Sequence, residues 1–114
     1  MKTRLHDVWA ADRGALNGWV STPSPMQAEM MALQDFDSIT VDLQHGLIDY
    51  PDALLLLQTI HGHGKTAVAR VPWNEPGIIM KLLDAGALGI ICPMINTAAD
   101  AKAFVGACQY APRG

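Results

Sequence analysis

The feature that most constrains this chain is a fourfold alternation of strand-like and helix-like segments, with strand starts near residues 15, 38, 66 and 87. Strands are expected at 15–21 (ALNGWVS), 38–43 (SITVDL), 66–71 (TAVARV) and within LGIICPM, 88–94. In the segment SPMQAEMMALQDF, Pro25 stands at a helix start behind Ser24, and Met26, Met30, Met31 and Leu33 are spaced to form a core-facing stripe. PDALLLLQTIHGHG places Pro51 and Asp52 in a first turn and Gly62 and Gly64 at the end. GIIMKLLDAG follows Pro76, with Asn74 or Glu75 as its cap, and NTAADAKAFVGACQY carries Thr97 and Asp100 as a capping box.

Strands that are almost continuously apolar, each followed by a helix, imply a parallel sheet covered by helices. Two architectures satisfy this: an open doubly wound sheet and a (β/α)8 barrel. No G-x-G-x-x-G turn follows the first strand, which argues against the dinucleotide-binding form of the open sheet. A full barrel needs ~250 residues. The 114 residues here contain no composition break and, read as part of such a barrel, would hold about half of one as a single domain segment spanning 1–114.

Composition narrows the function classes. A formal net charge of −3 leaves no footprint for nucleic acid or an anionic membrane. The longest apolar runs, at 53–57 and 86–92, fall well short of the roughly 18 residues of a membrane span. The stretch MKTRLHDVWAADRG lacks the apolar core of a signal peptide, so the protein is expected in the cytoplasm. Cys92 and Cys108 form no CxxC and are expected to be reduced packing thiols.

In parallel α/β folds the working groups gather at the carboxyl ends of the strands. Trp19 and Ser21 end the first strand here, Asp42 and His45 the second, Arg70 the third, and Pro93 and Met94 the fourth. A carboxylate and an imidazole three residues apart can face one cavity and move a proton, although a hydrogen-bonded loop start has the same pattern. Arg70, embedded in AVARVPW, is costly to bury unless an anion meets its planar fork. That anion is either a substrate carboxylate or enolate, or a structural carboxylate of the core. GHGKT at 62–66 is not a P-loop, because Thr59 stands where the earlier glycine belongs and a strand follows. His61 and His63 fall in a helix-to-strand turn, away from the strand carboxyl ends, and are read as solvated. No G-x-S-x-G or Ser-His-Asp arrangement is present.

The runs DSITVDLQHG, VARVPWNEPGIIMKLLDAGALGIICPMINTAADA and YAPRG resemble the HpcH/HpaI aldolases, from about Gly18 onward. The resemblance implies a (β/α)8 barrel and metal-dependent, reversible aldol cleavage of 4-hydroxy-2-oxo acids to pyruvate, or hydroxypyruvate, plus an aldehyde. It implies His45 as the base, Arg70 as the holder of the oxo acid and its enolate, Asp42 as the carboxylate beside them and Trp19 as a pocket-lining residue. Asp84, in KLLDAG, matches the aspartate that partners the histidine. Because it follows a helix rather than a strand, it is expected to reach His45 across a subunit contact, which implies a homo-oligomer. The cofactor implied is a divalent metal, Mg2+ or Mn2+, with Co2+ a further candidate. Its Glu and Asp ligands belong to the family's second half, beyond Gly114, so no metal ligand is assigned within this segment. Gln44 departs from the Glu of many relatives, which points to altered local polarity or substrate preference. Two rival readings remain: an acyl-CoA lyase of the citrate-lyase-like branch, and a non-catalytic half-barrel that assembles through its open edges.

Overall fold

The computed structural model describes residues 2–114. Its elements, in order, are α1 (Arg4–Ala10), β1 (Asn17–Val20), α2 (Pro25–Ala32), β2 (Ser38–Asp42), α3 (Tyr50–Gly62), β3 (Thr66–Arg70), α4 (Pro76–Asp84), β4 (Gly89–Ile91) and α5 (Ala98–Ala107). The four strands are all parallel and lie in the order β1-β2-β3-β4. A crossover between parallel strands is right-handed almost without exception. Strand order that never reverses therefore puts every crossover helix on the same face, whereas a doubly wound sheet reverses and covers both. This decides between the two architectures: the chain is a four-unit sector of a (β/α)8 barrel.

The register sorts the side chains into two faces. Gly18, Ile39 and Ala67 form one row toward the helices, and Val20, Val41, Ala69 and Ile90 form the next. Val20, Ile39 and Val41 are fully buried there against Leu56, Leu57 and Ile60 of α3 and Ile79 and Leu82 of α4. At about 25 cal/mol per Å2 of apolar surface, this helix-facing layer is the main stabilising interface. The other face carries Asn17, Ser38 and Thr66, then Trp19, Thr40, Val68 and Gly89, then Asp42, Arg70 and Ile91. Its lower rows satisfy themselves, since Ser38 Oγ and Thr40 Oγ1 both donate to Asn17 Oδ1, at 2.8 and 3.1 Å.

Helix starts follow the expected chemistry. Ser24 Oγ accepts from Gln27 N at 3.3 Å, with Pro25 in the first turn. Thr97 and Asp100 cap each other reciprocally, at 3.1 and 3.0 Å. For α4 the cap is Glu75, whose carboxylate takes the N–H groups of Gly77 and Ile78 at 2.8 and 2.9 Å. Asn74 instead donates from Nδ2 to the Asp100 carbonyl at 3.2 Å, tying the β3 loop to α5.

Three sequence expectations need correction. The methionine stripe is not core: Met26 and Met30 are 70% and 62% exposed and Leu33 is 67% exposed. α2 turns its small residues Ala28 and Ala32 inward instead, which lets it approach the sheet closely, and of the stripe Met31 packs on the core over Gly18. The strands are shorter than their apolar runs, β1 starting at Asn17 and β4 ending at Ile91. A helix also forms at Arg4–Ala10, where no element was expected. It buries only Val8, and its Arg4 Nε donates to Asp37 Oδ1 at 2.9 Å.

Candidate active site

β2 and β3 end level with each other, because Asp42 and Arg70 are register partners on the sheet face turned away from the helices. Two side chains of opposite charge at adjacent strand ends meet as a fork. Arg70 Nε donates to Asp42 Oδ1 at 2.9 Å and Nη2 donates to Oδ2 at 2.7 Å. The Asp42 side chain is 2% exposed and that of Arg70 is 23% exposed, so the pair is closed on one side and open on the other.

Asp42 is unusually well supplied with donors. Besides Arg70 it receives Trp19 Nε1 at 3.1 Å and the backbone N–H groups of Gln44 and His45 at 3.0 and 3.3 Å. Burial alone would push this carboxyl up. The hydrogen bonds from Arg70, Trp19 and the two backbone groups outweigh it and hold the carboxyl far below the usual carboxylate range. Arg70, conversely, is pushed up by the hydrogen bonds it donates to Asp42. The arginine is thus permanently charged and its plane is fixed, with Nη1 and the outer Nη2 hydrogen directed away from Asp42.

The turn after β2 is shaped by the same carboxylate. Asp42 Oδ1 caps the backbone of Gln44 and His45, while Leu47 N donates to the Ser21 carbonyl at 2.8 Å, stapling the turn to the end of β1. Gly46 lies where a Cβ would collide with the Asp42 carbonyl and come within 3.1 Å of the Ser21 carbonyl. Only glycine lets the chain double back so tightly. The result leaves the His45 side chain exposed on the turn whose backbone N–H groups bind Asp42.

The structure brings together Trp19, Asp42, Arg70 and, through its backbone, His45. It does not bring Asp84 to them. Asp84 ends α4, which runs antiparallel to the strands, and so lies at the opposite end of the sheet, where it accepts from Tyr110 Oη. Ser21 and Met94 sit in carboxyl-end loops, Met94 at a positive φ of 58° and 59% exposed. The glycine of VDLQHG and the double contact of Trp19 were missed as site features. An Asp-x-x-His followed directly by glycine was the available signal for the first, and nothing in the sequence carried the second.

A metal fits these residues poorly. Among the described residues there is no group of three or more His, Cys, Asp or Glu side chains able to hold an ion. The one buried carboxylate at the site already receives donors on both oxygens.

The family model for HpcH/HpaI aldolase/citrate lyase matches residues 16–114, a span that contains every site residue above. The chain belongs to the HpcH/HpaI aldolase/citrate lyase family. It is 41% identical over 111 residues to the hydroxypyruvate/pyruvate aldolase of Rhizorhabdus wittichii, covering 97% of this chain and 44% of that protein. It is 33% identical over 114 residues to the 4-hydroxy-2-oxo-heptane-1,7-dioate aldolase of Klebsiella pneumoniae, covering 100% of this chain and 43% of that enzyme. Among solved structures, an HpcH/HpaI aldolase/citrate lyase family protein from Burkholderia cenocepacia superposes with a TM-score of 0.84 at 30% identity, over 90% of this chain and 42% of that one. The chain therefore spans less than half the length of these relatives. No helix among the described residues is long and apolar enough to cross a membrane.

Proposed function

We propose that residues 1–114 form the amino-terminal half of a single barrel domain that catalyses reversible aldol cleavage of 4-hydroxy-2-oxo acids to pyruvate, or hydroxypyruvate, plus an aldehyde. The observation that carries this is the Arg70 fork at the end of β3. It is clamped by Asp42 on one edge and open on the other. An open, planar, permanently charged fork matches a carboxylate or an enolate oxygen; a 2-oxo acid donor presents the first and forms the second when its carbon–carbon bond breaks. The aldolase activities named for the Rhizorhabdus and Klebsiella relatives agree with that chemistry.

In this proposal Arg70 binds the oxo acid and stabilises the charge that develops as the carbon–carbon bond breaks. His45, exposed beside it, moves the proton that quenches or forms the enolate. Asp42 touches no substrate; it holds Arg70 in plane and supports the turn that presents His45. A divalent metal, Mg2+ or Mn2+, is part of the proposal through family membership, with ligands from segments outside this chain. Trp19 borders the donor side. The protein is proposed to work in the cytoplasm as a homo-oligomer, because Asp84 can meet His45 only from another subunit. Unchanged turnover in an Asp84→Ala variant, or full activity in a strict monomer, would remove that contact from the scheme.

The direct test is a lactate-dehydrogenase-coupled assay of pyruvate release from a 4-hydroxy-2-oxo acid by the aldolase carrying this chain, with added Mn2+ and again after chelation. Metal-dependent release that is lost in Arg70→Ala is the expected result. Metal-dependent release that survives Arg70→Ala at the wild-type rate would refute the assignment.

A further inference from the structure

Trp19 makes two contacts that a residue merely lining a pocket would not need. Its indole N–H donates to Asp42 Oδ2 at 3.1 Å, the same oxygen that accepts Arg70 Nη2 at 2.7 Å. Its ring also lies under the guanidinium, with Arg70 Cζ 4.9 Å from the ring centroid. In the sheet Trp19 pairs with Thr40, two residues and about 6.6 Å before Asp42 along the strand direction. An indole is long enough to lean across that gap, and a shorter side chain at the same register would not reach.

The two contacts restrain different motions. The Asp42 hydrogen bonds lie in the guanidinium plane and fix its rotation within that plane, but they leave the plane free to tilt about the Asp42 edge. The aromatic face opposes that tilt through the attraction between a cation and the ring quadrupole. The N–H contact in turn keeps Asp42 Oδ2 aimed at Arg70. Trp19 is 40% exposed, so part of its ring remains open to solvent.

We propose that Trp19 is a positioning residue for Arg70: it fixes the tilt of the guanidinium so that the outer fork is set for a 2-oxo acid carboxylate before the donor arrives. This rests on the aldolase reading in its choice of donor, and it assigns Trp19 to donor affinity rather than to acceptor selection. Trp19→Phe keeps an aromatic face and removes the N–H, whereas Trp19→Leu removes both.

The test is calorimetric binding of oxamate, a non-reacting pyruvate analogue, to the aldolase carrying this chain, run beside steady-state kinetics. Trp19→Leu is expected to weaken oxamate binding and raise the pyruvate KM about tenfold and, because Arg70 also meets the developing charge, to lower kcat as well, and Trp19→Phe to show a smaller loss in the same directions. Because Trp19 acts through Arg70, neither substitution should weaken oxamate further in an Arg70→Ala background. Wild-type oxamate affinity in Trp19→Leu, with only the aldehyde KM altered, would overturn the proposal. So would an equal loss in the Arg70→Ala background, which would mark Trp19 as general structural support. If Trp19→Leu does not fold, Trp19→Phe with and without Arg70→Ala decides the matter by the same comparison. A wild-type protein that binds oxamate in this Trp19-dependent way but cleaves no 4-hydroxy-2-oxo acid would refute the aldolase reading while leaving the positioning role intact.

Discussion

Replacing Asp42 with asparagine is the sharpest perturbation of this site, because it preserves shape and changes only charge and donor pattern. Oδ1 accepts from Arg70 Nε and the N–H groups of Gln44 and His45, while Oδ2 accepts from Arg70 Nη2 and Trp19 Nε1. An asparagine can satisfy only one of these sets. With its oxygen at the Oδ1 position, its amide NH2 points at two donors, so two hydrogen bonds are lost and the guanidinium loses its counter-ion. Breaking one side of a buried pair costs about 3–5 kcal/mol. The 23% exposure of the Arg70 side chain lets water recover part of this, which sets the expectation near the lower end, about 3 kcal/mol. Urea unfolding of the protein carrying Asp42→Asn should show a lower midpoint with an unchanged slope. The pH dependence has a definite sign. The folded-state carboxyl is depressed, so its contribution is complete above the unfolded value of about 3.9 and is lost as pH falls from there toward the folded value. Asp42→Asn should therefore flatten the acid limb of the stability profile below about pH 4. A loss under about 0.5 kcal/mol, the range of an ordinary surface substitution, would refute the claim that this carboxylate organises the site.

Two further outcomes follow from the geometry around it. Gly46→Ala should displace the β2 turn from the Asp42 and Ser21 carbonyls, lowering kcat more than it raises the pyruvate KM, because His45 moves while Arg70 stays; steady-state kinetics separate the two. Thr97→Ala removes the hydroxyl that accepts from Asp100 N at 3.1 Å, and should cost about 1 kcal/mol in urea unfolding without changing kinetics.

How much of this was legible beforehand depended on whether the signal was local. The four βα units, the caps at Ser24 and Thr97 and the polar strand ends at Asp42 and Arg70 all follow from short-range patterns, and the structure repeats them. The choice between open sheet and barrel needed strand order, which no single segment encodes. The α2 face was misjudged because hydrophobicity favours methionine as core, while the close approach of a helix to a sheet favours Ala28 and Ala32. Arg70 raised two options, a structural carboxylate or a substrate anion. Asp42 fills the first, and the open edge of the same fork leaves room for the second. The partnership of Trp19 with both charges spans three strands and could not be read from spacing. Asp84 was placed by resemblance, and the antiparallel run of α4 explains why it stands apart from the strand carboxyl ends.

In the proposed mechanism Arg70 and His45 together create and quench a pyruvate enolate. Exchange of the pyruvate methyl protons in D2O, followed by NMR with the protein and without any aldehyde, isolates that step from acceptor chemistry. Wild-type protein should exchange the methyl group, and His45→Ala should slow the exchange by about 100-fold or more, the usual range for loss of a positioned base. Exchange at the wild-type rate in His45→Ala would show that His45 is not the base.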